Sequence, residues 1–370
     1  MQRVVSTESK RQVLGGPIRW DYEARWETVR RMLARRRADA FVVRQPGNIR
    51  YLACAHVPGN PPLSAVVIPR QGSPVGISSS MEATRAVAES ALPEVIVFAR
   101  YRDVDRHVAR EAAAFGRIIA SRRLGRILAD SAVPGVKAAV DPFVNRMREV
   151  KEPQELTCVR QSARLVSLAA AQLKRFVRVG RTELEVAAEL EYFLRRHGAQ
   201  DMSYPTIVAA GPHASYSHHV PTARKIQDGD AVICDYGVHV NGYSSDITRT
   251  IRVGRGNRWN EIYDAVRAAQ AAAAKQARPG VPFRAVDDAA RGLLRRRGLA
   301  KAYVHSTGHG LGLETHEGPS LSPFSVGTCR PGMVVTIEPG VYLSGQGGVR
   351  IEDALLITET GVEWLTGPVP

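Results

Sequence analysis

Cysteine is scarce in this 370-residue chain, and the four present, Cys54, Cys158, Cys234 and Cys329, show no C-x-x-C spacing. That excludes a disulfide framework and a thiolate zinc site and leaves them as core fillers. Long apolar runs are missing too: no window is apolar enough over enough residues to span a bilayer. Met1 to Gly16 lacks the apolar centre of a secretion signal, which points to the cytosol. Acidic residues are outnumbered, 36 against 51 lysines and arginines, for a formal charge of +15. Such a charge raises non-specific affinity for nucleic acid and acidic surfaces. The arginines, however, sit at helical spacing among apolar residues, as in Arg30, Arg31, Arg35, Arg36 and Arg37 or Arg295, Arg296 and Arg297. That is the pattern of a solvated helix face or a helix C-terminus. With no continuous basic tail and no RNA-binding aromatic motif beside them, nucleic acid is not the expected partner. Nor does an internal repeat stand out. What is there, 44% hydrophobic and 24% charged residues, is the composition of a soluble globular protein, and the length calls for two domains.

The strongest local signal runs from Val232 to Arg252. Two runs rich in β-branched and aromatic residues meet at Asn241-Gly242, the signature of a two-residue type I′ turn. With that pair as the loop, Val240 opposes Tyr243, and counting back sets Asp235 opposite Thr248, two residues along from Asp246. Side chains repeat with period 2, so Asp235 and Asp246 share one face as diagonal neighbours. Two carboxylates on one face of a mostly apolar hairpin repel each other and lose hydration. A pair of divalent metals relieves both, because carboxylate oxygens bind such ions and can bridge two at once. The two acids alone fit a solvated surface hairpin equally well, so more ligands are required. Downstream, His309 and His316 lie in a Gly-rich run, where a backbone without side chains can pass close to a ligand. The stretch 331–340 reads as an apolar strand that ends at Glu338 and is stopped by Pro-Gly. The stretch 347–353 reads as a short strand with Arg350 and Glu352 on one face, the glutamate held by its arginine neighbour and by metal.

Asp235, Asp246, His309, Glu338 and Glu352, in that order and set in the words CDYG, SDITRT, GHGLGLETHE, TIEPG and GVRIED, resemble the pita-bread metallopeptidase family M24. That family holds the Xaa-Pro dipeptidases (prolidases), the Xaa-Pro aminopeptidases and the methionine aminopeptidases. The resemblance covers nearly all of the chain beyond the first tail. It implies an α/β (α+β) fold: a flexible tail over 1–16, a mixed α/β domain like that of creatinase and prolidase over 17–150, and a pita-bread catalytic domain over 151–370. In relatives the N-terminal domain caps a neighbouring subunit's active site, so a homodimer is expected.

Periodicity fills in the elements. Trp26, Val29, Met32 and Leu33 form the stripe of a helix over 22–37. Strands at 40–43 and 64–69 flank a turn at 46–51, whose residues Asn48 to Leu52 are the part most like the creatinase domain. A helix over 81–92, a strand at 94–99 and a helix over 103–121 continue the alternation of a mixed layer. Pro153 suits a first helical turn, so the domain junction falls at 146–156 and a helix runs on to about 177. Thr182 and Glu185 form a capping box for a helix ending near His197. Helices over 259–278 and 283–297 follow the hairpin, and helix, helix, strands repeated once fits the pseudo-twofold fold that the resemblance implies.

The resemblance also assigns roles. Asp235 would chelate one metal, Asp246 and Glu352 would bridge both, and His309 and Glu338 would complete the second. Two divalent ions roughly 3.5–4 Å apart lower the pKa of a bridging water and supply a hydroxide that attacks the peptide carbonyl. Glu338 would shuttle the proton to the leaving nitrogen. Aligned on the turn at Gly229-Asp230, His218 matches the family's substrate-binding histidine, while His219 stands where relatives carry a small residue. Relatives often have Asn at 213 and Pro at 217. His218 and His316 would donate to the carbonyl oxygen and the tetrahedral intermediate, each worth about 3–4 kcal/mol on the scale of oxyanion donors. Arg350 would orient the carboxylates. Carboxylate-rich coordination with one histidine favours Mn²⁺ or Co²⁺ and leaves Zn²⁺ open.

The two-domain layout resembles the Xaa-Pro enzymes rather than the methionine aminopeptidases, so the expected substrate is a small peptide with proline second. A dipeptidase also needs a cation for the free C-terminal carboxylate. Between His316 and Glu338 the sequence offers only Arg330, and dipeptidase and aminopeptidase both stay open. Two other classes remain in view: a non-peptidase hydrolase or lyase on the same scaffold acting on a small amide or osmolyte, and an inactive peptidase-like module that meets nucleic acid or chromatin through its charge. A metal-free or inactive member predicts lost ligands, and all five are present.

Overall fold

The structure, a computed structural model, describes residues 18–57, 59–98, 107–254 and 258–367. The expected tail over 1–16 and the expected helix start at 103 lie outside them. The chain divides into two units, Met1–Arg148 and Glu149–Pro370.

The first unit alternates α1 (Tyr22–Arg36), β1 (Ala40–Val43), α2 (Pro46–Ala53), β2 (Ala65–Pro69), β3 (Val75–Ser79), α3 (Ala83–Glu89), β4 (Glu94–Phe98), α4 (His107–Arg122), β5 (Ile127–Ala129), β6 (Ala138–Val140) and α5 (Phe143–Arg148). One mixed sheet runs β4-β3-β2-β1-β5-β6. Its central strand Ala-Phe-Val-Val is buried throughout, as a strand covered on both faces requires. The expected turn at 46–51 is instead the helix α2. Pro46 sits in its first turn, where a missing N–H costs nothing. Asn48 is buried, donating to Asp130 Oδ2 and Asn145 Oδ1, both at 3.0 Å, and these tertiary partners override the local turn signal of Pro-Gly-Asn.

The second unit opens with α6 (Pro153–Ala170), α7 (Leu173–Phe176) and α8 (Glu183–Arg196). The helix expected to reach 177 therefore breaks after Ala170. The Ser167 hydroxyl donates back to Ala163 O at 2.8 Å, a bond that bends helices, and the break turns Leu173 and Phe176 into the core. The Thr182–Glu185 capping box forms as expected. Next come β7 (Asp201–Met202), β8 (Ile207–Ala210), β9 (Ala231–Tyr236), β10 (Val238–Val240), β11 (Tyr243–Ser244), β12 (Ile247–Arg252), α9 (Asn260–Gln276) and α10 (Phe283–Arg296). The chain closes with β13 (Gly308–Gly310), β14 (Glu317–Leu321), β15 (Val334–Ile337), β16 (Gly340–Leu343), β17 (Gly347–Arg350), β18 (Asp353–Ile357) and β19 (Val362–Trp364). Two cores hold it together. Val166 and Leu190 pack with Val232 and Cys234, and Val266 and Val286 with Val335 and Leu355, so each helix pair covers its own set of strands.

The central hairpin keeps one register throughout. Val240 pairs with Tyr243, Tyr236 with Ile247 and Asp235 with Thr248, and Asn241 and Gly242 have φ of 49° and 79°, as a type I′ turn demands. At Gly237 the strand passes from one sheet to the next, and a Cβ there would run into the Ser245 carbonyl oxygen. The Gly-rich run has a different reason from the one expected: a Cβ at Gly308 would strike the Thr336 carbonyl oxygen, so its neighbour is the adjoining strand. The expected strand over 347–353 is two strands. β17 pairs with β16, whereas β18 pairs with β15 and β19, and the chain changes sheet at Ile351-Glu352. There Glu352 N donates to Thr248 O at 3.1 Å.

Candidate functional site

All eight residues singled out from the sequence, Asp235, Asp246, His309, Glu338, Glu352, His218, His316 and Arg350, line one cavity of about 650 Å³. Strand ends and sheet changes deliver them. Asp235 lies near the end of β9, Asp246 just before β12, Glu338 directly after β15, and Glu352 in the break between β17 and β18. His309 is the middle residue of β13. Its Nδ1 donates to Gly310 O at 3.0 Å, which leaves the Nε2 lone pair free. That Nε2 faces Glu338 Oε1 at 3.4 Å and Asp246 Oδ2 at 3.7 Å.

Arg350 does not hold Glu352, contrary to the expectation from their spacing. The break at 351–352 separates them, and Arg350 Nη2 donates to Asp235 Oδ2 at 2.5 Å. Thr248 links the pair instead: its hydroxyl donates to Glu352 Oε2 at 2.7 Å and accepts from Arg350 Nε at 3.1 Å. Arg350 Nη1 reaches the Tyr342 hydroxyl at 2.7 Å and Ser217 O at 3.2 Å. Tyr342 in turn donates to His305 Nε2 at 2.9 Å, since His305 Nδ1 is committed to Ser306 O. Tyr204 was missed by sequence reasoning. Its hydroxyl bonds Asp235 Oδ1 at 2.5 Å and also Asp246 Oδ1, yet no local pattern around it announces that role. Thr248 was within reach, because the counted register had already placed it opposite Asp235.

Electrostatically the cavity is short of positive charge. Burial first, then Asp235, pushes the Asp246 carboxyl well above the usual range. Burial, then Asp246, Glu338 and Asp235, does the same to Glu352, whose Oε1 is buried with no hydrogen-bond partner among the described residues. Of the residues lining the cavity only Arg350 is a lysine or arginine. Its pKa rises despite burial because Tyr342 and Asp235 face it. A buried acceptor without a donor costs free energy, and so do carboxylates crowded in low dielectric. Divalent cations fit this donor set. Asp246, His309 and Glu352 each offer an atom, all within 4.8 Å of one another, with Asp235 and Glu338 alongside. Burial and the neighbouring His309, whose ring lies 4.2 Å away, lower the His316 pKa, so His316 is neutral at neutral pH and can donate a hydrogen bond.

A second histidine–carboxylate cluster has the opposite character. Glu183, at the start of α8 and fully buried, accepts from Ala210 N (2.8 Å), His213 Nδ1 (3.0 Å), His219 Nε2 (2.9 Å), Thr222 N (3.0 Å) and Thr222 Oγ1 (2.7 Å). Burial alone would raise its pKa, yet the hydrogen bonds from Thr222, Ala210, His219 and His213 hold it below the ordinary 4.5. The Glu183 oxygens, which between them accept five hydrogen bonds, have no acceptor position left for a cation. Arg330, the one arginine the sequence offered for a free C-terminal carboxylate, pairs with Glu149 at 2.7 Å and is not among the residues lining the cavity.

Residues 157–359 match the model of metallopeptidase family M24, and residues 25–150 that of the creatinase/prolidase N-terminal domain. An Xaa-Pro dipeptidase from Pyrococcus furiosus is 39% identical over 228 residues, covering 61% of this chain and 66% of that protein. In that match the chain spans just under two thirds of the relative's length. The structure of a prolidase from Thermococcus sibiricus superposes with a TM-score of 0.84 at 30% identity, over 95% of this chain and 98% of that one. An X-Pro aminopeptidase from Thermotoga maritima superposes at 0.81 with 27% identity, over 93% and 98%.

Proposed function

The chain belongs to metallopeptidase family M24, and from that premise we propose that it hydrolyses the peptide bond preceding proline in small peptides, as an Xaa-Pro dipeptidase or Xaa-Pro aminopeptidase. Asp235, Asp246, His309, Glu338 and Glu352 hold two divalent ions, Mn²⁺ or Co²⁺ ahead of Zn²⁺. The observation that carries the reading is the shortfall of positive charge in the cavity: crowded carboxylates, a histidine nitrogen with a free lone pair, and a buried Glu352 oxygen without a donor. When bound, such ions polarise the scissile carbonyl and supply hydroxide near neutral pH.

The chain's own residues do the rest. His218 and neutral His316 donate to the carbonyl oxygen as negative charge develops on it. Glu338, with its side chain 17% exposed against 6% for Asp246 and 11% for Asp235, is the most accessible of these three acids. It takes a proton and delivers it to the prolyl nitrogen, which must be protonated to leave. Arg350, Thr248 and Tyr204 fix the carboxylates through the bonds described above and set their orientation before substrate arrives.

Arg330, the arginine considered for a free C-terminal carboxylate, pairs with Glu149, and Arg350, which lines the cavity, is engaged by Asp235, Tyr342 and Thr248. Dipeptidase and aminopeptidase therefore both stand. A homodimer is part of the proposal, supported by the match to the creatinase/prolidase N-terminal domain. So is a cytoplasmic location, supported by four cysteines that are all free and buried, as a reducing compartment keeps them. No helix among the described residues is long and apolar enough to cross a membrane. An inactive binding module finds less support because the ligand set is intact, and a non-peptidase hydrolase finds less because the relatives described above carry the names of Xaa-Pro peptidases.

Hydrolysis of Ala-Pro, Ala-Pro-Ala and Met-Ala-Ala after metal loading tests the reading. Turnover of Ala-Pro alone marks a dipeptidase, and turnover of Ala-Pro-Ala an Xaa-Pro aminopeptidase. Turnover of Met-Ala-Ala alone, or of none of the three with Mn²⁺, Co²⁺ or Zn²⁺, contradicts it.

A further inference from the structure

We propose that Glu183 is a positioning residue for His218: its carboxylate staples together the two ends of the loop that carries this histidine and so fixes where it stands in the cavity. The proposal rests on the substrate-binding role of His218 given above.

The loop leaves β8, makes a short 3₁₀ turn over Gly211–Ser215 and returns at Thr222. Glu183 binds both of its ends. Oε1 accepts from Ala210 N and His213 Nδ1 on the outgoing side, and Oε2 from His219 Nε2, Thr222 N and Thr222 Oγ1 on the returning side. Between these attachments the outgoing turn is held by Ala214, packed with Ile207, Ala209, Ile233 and Tyr342, while the tip beyond it is more open. Within 214–218 only Ala214 is fully buried, Tyr216 is 58% exposed, and Val220 beyond His219 is 75% exposed. The tip has one inward tie, Ser217 O accepting from Arg350 Nη1, and that arginine also holds Asp235. His218 thus stands between the Glu183 attachment and the metal-ligand network, with Ser217 and His219 on either side of it also lining the cavity.

The staple itself is anchored. Glu183 is the first residue of α8, directly after the N-cap Thr182 of the capping box. Its backbone N donates to Arg224 O and the next residue's N to Thr222 O, both at 3.1 Å, so the helix start and the returning strand clasp each other. The His213 and His219 rings lie 4.4 Å apart, and both reach the same carboxylate. Cutting one strut would let the loop shift by a fraction of its length while leaving the five metal ligands untouched. Catalysis is sensitive to such a shift, because a donor displaced by about 1 Å can lose up to about 100-fold in rate.

The test uses the full-length, metal-loaded protein and compares wild type with His219→Ala, His219→Gln, His218→Ala and the double variant His218→Ala/His219→Ala. Hydrolysis of Ala-Pro and Ala-Pro-Ala and amide hydrogen exchange of peptides spanning 212–222 are the readouts. The expected result is a fall in kcat/KM of about 10-fold in His219→Ala. It should come with faster exchange confined to 212–222, unchanged metal content, and recovery in His219→Gln, whose amide N–H can reach the carboxylate. In the His218→Ala background the second substitution should cost nothing further, because the staple acts only through His218. Losses that multiply in the double variant, unaltered exchange in 212–222, or metal lost on substituting His219 would each overturn the proposal. Wild type inactive on both peptides would sink the peptidase reading instead, and hydrogen exchange alone would then decide whether the staple exists.

Discussion

Two buried clusters in the C-terminal unit are made of the same side-chain types and behave in opposite ways. Around Glu183, donors from Ala210, His213, His219 and Thr222 supply every acceptor position, and the carboxyl is held below its ordinary range. Around Asp246, His309 and Glu352, the carboxyls face one another, one oxygen has no donor among the described residues, and both acids are pushed far up by burial and their neighbours. Residue identity does not separate a structural hub from a metal centre. The balance of donors and acceptors does, because a buried oxygen without a donor is costly until a cation arrives.

The sharpest way to break this comparison is to neutralise one carboxylate in each cluster. Glu352→Gln should lower peptide hydrolysis by more than roughly 1,000-fold, beyond the loss of a single oxyanion donor. In the metal-stripped protein the same change should raise Tm, since it removes a like charge from a crowded buried site. Glu183→Gln should do the reverse to stability, lowering it by about 1–3 kcal/mol, because its amide presents N–H groups to N–H donors. Denaturant melts of both variants check the signs, and two shifts in the same direction would dissolve the distinction.

A next-largest effect is expected at Thr248, whose hydroxyl joins Glu352 to Arg350. Thr248→Val keeps the shape and removes the link, and should cost about 10- to 100-fold in metal affinity or kcat/KM, the usual scale for groups that orient ligands. Isothermal titration with Mn²⁺ would read it.

The smallest signature is in pH. Glu352 has a folded pKa above its ordinary 4.5, so the folded metal-free state binds more protons and wild-type stability falls as pH rises above about 4.5. Glu183 has a folded pKa below 4.5, so its contribution is present above that value and is lost as pH falls through the lowered one. Tm measured from pH 3 to 8 on metal-free protein should show the advantage of Glu352→Gln growing with pH. The deficit of Glu183→Gln should shrink in acid.

Much of the candidate metal centre was legible in the sequence because one turn fixed a register. Asn241-Gly242 set the count, the count put Asp235 opposite Thr248, and the remaining proposed ligands sat where strands visibly end or glycines cluster. Tyr204 was invisible, since its two carboxylate partners lie 31 and 42 residues away and no periodicity links them. The break at Ile351-Glu352 was hidden for a related reason: a strand that changes partners mid-run keeps its alternation while losing its sheet. At Pro46–Ala53 the local signal was present and wrong, overruled by the buried contacts of Asn48. Glu183 looked like a residue beside a capping box, and its part emerges only when a loop some 30 to 40 residues later folds back onto it.

Metal content bears most directly on the claim that unmet acceptors mark the metal centre. Mn²⁺ bound per chain should be two equivalents in wild type and in His213→Ala/His219→Ala, and should drop in His309→Ala together with activity. Metal lost from the His213/His219 variant, or fully retained in His309→Ala, would contradict the account.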